Sequence, residues 1–116
     1  MAYIHLNRKD SAVESFGTAC LERAKDIISG RRNTYGTPEN SFKAIGALWS
    51  EYLERTISPH DVAIMMVLFK IGRIKSGKVE YNADNYIDAC GYAALADELK
   101  LQEIEKQVRE ELYAPN

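Results

Sequence analysis

The chain has little of most residues that announce a special chemistry. Its 116 residues include two cysteines, three prolines, two histidines and one tryptophan. No apolar run approaches a membrane span, and the stretch Met1-Ala-Tyr-Ile-His-Leu-Asn-Arg-Lys-Asp10 lacks a run of signal-peptide length. We therefore expect a cytoplasmic protein with no membrane partner. Two cysteines are too few for a disulfide scaffold. Cys20 and Cys90 each lie among apolar or small residues at helical spacing, and the expectation is two reduced core thiols. Neither sign of charge dominates. Fifteen Lys and Arg against seventeen Asp and Glu leave a net charge of -2, which gives no general attraction to nucleic acid or an anionic surface. Strand-like alternation is absent as well.

What is present is ordinary soluble material, 46% hydrophobic and 28% charged, enough for a single domain over 1–116. The punctuation is helical. A flexible arm covers 1–10. Ser11-Ala-Val-Glu14 reads as a capping box opening a first helix that ends near Gly30, with Val13, Phe16, Cys20, Ala24 and Ile27 on one face. Thr37-Pro38 caps a second helix to about Arg55, with a stripe of Phe42, Ile45, Trp49 and Tyr52. Ser58-Pro59-His60-Asp61 repeats the device for a third helix ending at Ser76-Gly77. Asn82 or Ala83 opens a fourth, continued by an amphipathic extension over 100–113 with Leu101, Ile104, Val108 and Leu112 at helical spacing. The class is all-α. Short connections predict a four-helix antiparallel bundle with an extended C-terminal helix.

That topology gathers polar residues at one end. Lys70 and Arg73 lie in the otherwise apolar run from Val62 to Ile74, and cations so placed must meet carboxylates, phosphates or a cavity. Asp84 and Asp88, at i and i+4, share a helix face that Tyr92 continues, and such a pair can share Mg²⁺ with a substrate phosphate. Equally, Asp88 can simply neutralise Lys70 or Arg73. The segment from Arg31 to Gly36, read as a loop, brings Arg32 and Tyr35, and the next helix brings Asn40. We expect Lys70, Arg73, Arg32, Tyr35, Asn40 and Tyr92 to bind a ligand with phosphates, and Asp84 and Asp88 to hold metal. His60 and Asp61 fall at the opposite end, with Glu51 and Glu54. There the capping box accounts for Asp61 without catalysis.

From Tyr35 to Leu95 the chain resembles a family of small all-helical domains of unknown function found in phages and prophages. The residues that carry the resemblance are Tyr35-Gly36-x-Pro38, Asn40-x-Phe42, Leu48-Trp49, Pro59-His60-Asp61-Val62-Ala63, Lys70-Ile71-x-Arg73 and Asp84-Asn-Tyr-Ile-Asp88-x-x-Gly91-Tyr92. More remotely it is similar to the MazG-type all-α nucleotide pyrophosphohydrolases, which hold Mg²⁺ with Glu-x-x-Glu and Glu-x-x-Asp pairs. The spacing of Asp84 and Asp88 departs from that pattern. The resemblance implies a phage-associated nucleotide-binding protein in the bacterial cytoplasm, an oligomer of one chain, either a Mg²⁺-dependent pyrophosphohydrolase or a binder that sequesters a nucleotide signal of host defence. A third reading, from the C-terminal helix, is a module that acts on a host protein.

Overall fold

The computed structural model describes residues 10–35, 37–77 and 81–115, and in the first helix the side chains of 17–30. The described residues form four helices and no strand: α1 (Asp10–Tyr35), α2 (Pro38–Leu53), α3 (Pro59–Ser76) and α4 (Ala83–Leu112). None is long and apolar enough to cross a membrane.

Three of the starts follow from local chemistry. Thr37 is extended, its hydroxyl accepts from the Asn40 N–H at 3.5 Å, and Pro38 fills the first helical position. Ser58 and Asp61 form a reciprocal capping box, each side chain accepting the other's backbone N–H at 3.0 Å. Asn82 accepts from the Asp84 N–H at 2.9 Å. α2 ends by passing Glu54 through the left-handed region, φ 54 and ψ 40.

α1 differs from expectation at both ends. It starts at Asp10, so Ser11 lies inside it, and it runs past Gly30 through Tyr35. Gly30 does not enter the left-handed region that would end a helix. Arg31 and Arg32 are good helix formers, and cations suit a helix C-terminus. The expected loop from Arg31 to Gly36 is therefore helix as far as Tyr35. The side chains of Arg32 and Tyr35 lie outside the described residues, as does the arm over 1–9.

The core is small. Ala63, Ala96 and Leu99 form its centre, with Phe42 of α2 packed against it, and Val62 is fully buried. Ala63 meets Ala96 and Leu99, whereas Lys70, two turns further along α3, meets Asp88, two turns earlier in α4. On α1, Ala24 is buried. Cys20 and Ile28, one turn to either side of it, reach Cys90 and Gly91. Two adjacent α4 positions thus meet α1 residues two turns apart, so the axes cross.

On α2, Gly46 is buried and an added Cβ would lie 2.7 Å from the Ile57 carbonyl oxygen. The Ser50 hydroxyl accepts the Ile57 N–H at 2.7 Å and donates to the Gly46 carbonyl at 2.7 Å, tying the α2–α3 connection back onto α2. The packed face of α2 therefore passes through Gly46 and Ser50. Tyr52, expected in the apolar stripe, sits roughly a third of a turn away from Gly46 and is 87% exposed.

Much apolar surface is left uncovered. The chain measures 66 × 31 × 28 Å, and its 18.1 Å radius of gyration exceeds the roughly 13 Å of a compact domain this long. Leu68 and Phe69 of α3 are more than half exposed, and Leu101, Ile104, Val108 and Leu112 of α4 are all exposed.

Candidate functional site at the turn between α3 and α4

Lys70 Nζ lies 3.0 Å from Asp88 Oδ2, and the two side chains are only 14% and 21% exposed. This joins two sequence-predicted site residues. A lysine stem can lie along the apolar α3 surface while the ammonium reaches the acid on α4. Lys70 and Arg73 both also approach the Phe69 ring, each 5.7 Å from its centroid, within cation–π range.

Arg73 differs from Lys70 in having no carboxylate within ion-pair reach among the described residues. Instead it lines a cavity of about 380 Å³ with Ile74, Ser76, Gly77, Tyr81, Asn82, Asn85 and Tyr86. The elements that make this cavity are the last turn of α3 and the first of α4. α3 closes with the Gly77 N–H on the Arg73 carbonyl at 3.0 Å, and α4 opens on the Asn82 cap. Tyr81 and Tyr86 stand with ring centroids 5.7 Å apart, tilted by 31°. One guanidinium, two side-chain amides and two aromatic rings thus border one space.

The other expected residues lie elsewhere. Tyr92 packs on Phe42, ring centroids 6.2 Å apart, and supports the α2–α4 contact rather than the cavity. Asn40 is exposed in the first turn of α2, where its N–H completes the Thr37 cap. Asp84 is exposed in the first turn of α4, an electrostatically favourable place for an acid. Neither Asn40 nor Asp84 borders the cavity. Among the described residues, no three His, Cys, Asp or Glu side chains come together as a metal cage. With Asp88 engaged by Lys70 and Asp84 facing water, the donor set does not fit a metal centre held by the protein alone.

Tyr81, Asn82, Asn85 and Tyr86 line the cavity although none of them is among the site residues expected from the sequence. The available signal was local: an aromatic on each side of the Asn82 cap, with a second asparagine three positions on, directly after the cation-bearing end of α3. In the sequence the cysteines read as unrelated, whereas Cys20 Sγ lies 3.7 Å from Cys90 Sγ.

At the far end, Asp61 is fully occupied by Ser58, with His60 Nδ1 3.7 Å from its other oxygen. The Ser58 backbone N–H holds the Asp61 carboxyl below its usual range, against a smaller opposing effect of burial. Glu51 and Glu54 are exposed nearby.

The comparisons with known proteins agree with this as a domain without assigned chemistry. The chain is 41% identical over 91 residues to the Gene 55 protein of Mycobacterium phage D29, covering 78% of this chain and 59% of that protein. It is 35% identical over 88 residues to the Gene 55 protein of Mycobacterium phage L5, covering 74% and 55%. The chain thus spans less than three-fifths of the length of these relatives. No solved structure matches it. Residues 19–100 match the family described as Domain of unknown function (DUF6378). That stretch takes in most of α1, all of α2 and α3, and α4 as far as Lys100, so the chain belongs to this phage-associated family of unknown function.

Proposed function

We propose that the domain binds a nucleotide-like ligand at the α3–α4 turn, in the cytoplasm of the bacterial host. The observation that carries this reading is Arg73, without a carboxylate partner among the described residues, on the wall of a cavity that also holds two tyrosines and two asparagines. A guanidinium fork suits a phosphate in two-point contact. The tyrosine rings offer a face to a base, and the amides of Asn82 and Asn85 supply both donors and acceptors for its edge. Lys70, held by Asp88, fixes α3 against α4 and so sets the width of the space. Mg²⁺ enters this reading as a companion of the phosphates that keeps most of its waters. Binding without turnover is the form we favour over MazG-type hydrolysis, because Asp88 is engaged by a lysine.

A panel of nucleoside mono-, di-, tri- and cyclic phosphates, with and without Mg²⁺, tests the proposal by thermal shift. At least one raises the melting temperature of wild type, and Arg73→Ala abolishes the rise while leaving the unliganded melting temperature nearly unchanged. No shift from any nucleotide overturns the reading. Release of pyrophosphate on incubation would move it from binder to enzyme.

The uncovered apolar surface favours a second role, self-association. The accessible surface is 9456 Å², against roughly 6,400 Å² for a compact monomer of 13.1 kDa. The excess is larger than the roughly 800 Å² that each partner of a standard interface loses. The α4 stripe Leu101, Ile104, Val108 and Leu112 can meet its own copy about a two-fold axis, each residue facing its counterpart's neighbour. Light scattering then gives a dimer mass, and Ile104→Lys returns a monomer. A monomeric wild type at tens of micromolar overturns it.

A further inference from the structure

The two cysteines come from opposite ends of the described chain, 70 positions apart, yet their sulfurs lie 3.7 Å from each other. Both thiols are half-buried and free of any disulfide. They sit where α1 crosses α4, one turn from the buried Ala24 and beside the Ile28–Gly91 contact. Among the described side chains of α1, Ala24 alone is buried, and Leu21 and Ile27 remain exposed.

We propose that Cys20 and Cys90 are a reversibly oxidised pair, whose disulfide locks α1 to α4 and whose reduction frees it. The oxidant is a small-molecule disulfide. One cysteine thiolate attacks a sulfur of that molecule, forming a mixed disulfide and releasing one small thiol. The second cysteine thiolate attacks the protein sulfur of the mixed disulfide and releases the other small thiol. Two protein S–H bonds are lost, one S–S bond forms, and the oxidant is reduced to two thiols. The reverse reaction needs a reducing dithiol. Because the sulfurs already touch, the second step is intramolecular and outruns capture of a second oxidant molecule.

Burial, reinforced by the hydrogen bond to Cys90, pushes the Cys20 thiol up, more than the nearby Arg23 pulls it down. Cys20 accordingly rests as a thiol at neutral pH and is slow as a nucleophile. Closing a loop of this length removes much freedom from the unfolded chain, so the oxidised form melts higher. Cys90 is two residues from Asp88, so the lock acts on the helix that carries half of the Lys70 pair. None of this depends on what the α3–α4 cavity binds.

The test is incubation of the full chain with oxidised glutathione, followed by intact mass, peptide mapping and melting. The expected product has lost two hydrogens, gives a Cys20–Cys90 cross-linked peptide pair, and melts roughly 10 °C or more above the reduced chain. Dithiothreitol reverses all three changes. Cys20→Ser and Cys90→Ser each give a single glutathione adduct instead, with no rise in melting temperature. Wild type that carries glutathione on both cysteines overturns the proposal, as does cross-linking only between chains. A cross-linked form that melts no higher than the reduced chain overturns the lock.

Discussion

Asp61 and Asp88 are both carboxylates beside a base, and they differ in where their partners come from. Asp61 takes its hydrogen bond from Ser58, three residues away, and its histidine is the adjacent residue. Asp88 takes Lys70 from a different helix, eighteen positions back. The first arrangement completes itself within one turn and orders the α2–α3 corner. The second exists only because α3 and α4 are packed together, and beside it Arg73 has no carboxylate partner among the described residues. An acid–base pair closed by its own neighbours orders one corner, whereas one assembled by the fold reports on the packing of two helices.

Five measurements break or sharpen this contrast. The largest effect belongs to the self-contained corner. Gly46→Val forces carbon against the Ile57 carbonyl and costs roughly 3 kcal/mol or more in chemical denaturation. Next is the assembled pair. Lys70→Ala leaves Asp88 half-buried without a partner and costs about 1–2 kcal/mol, while the double variant with Asp88→Ala recovers part of that loss. Additive losses in that cycle would remove the distinction between the two acids.

Ser58→Ala costs about 1 kcal/mol through the lost cap. Asp61 gives the matching pH dependence. Its folded carboxyl ionises below the unfolded one, so its stabilising contribution is complete above about pH 4 and is lost as pH falls through the folded value. The stability gap between wild type and Asp61→Asn should therefore narrow on acidification through that range. The smallest effect is a gain. Glu54→Gly relieves the left-handed backbone at the α2 C-cap and stabilises by roughly 0.5–1 kcal/mol.

The same contrast explains what could be read from the sequence. Caps are chemistry between residues a few positions apart, so Thr37-Pro38, Ser58-Pro59 and Asn82 mark three helix starts, and Asp61 stands in the capping box that its spacing from Ser58 predicts. Gly30 does not end α1, because its backbone stays out of the left-handed region and the helix formers Arg31 and Arg32 follow it. Tyr52 misled because periodicity gives a stripe but not the neighbour's position, and α3 packs nearer Gly46. For Asp88 the sequence leaves open a metal, Lys70 or Arg73 as partner, and the packing of α3 on α4 brings it Lys70. The touching cysteines were not anticipated, since nothing in either flank records where α1 crosses α4. The cavity's tyrosines and asparagines were passed over because a cap and two exposed aromatics are explained locally before any ligand is considered.

The Ser50 hydroxyl, which ties the α2–α3 connection back onto α2, makes this corner a weld. One oxygen fixes the chain entering α3 to the third turn of α2, so a pull on the start of α3 is carried directly into α2. The exposed Leu101, Ile104, Val108 and Leu112 of α4 lie outside that weld.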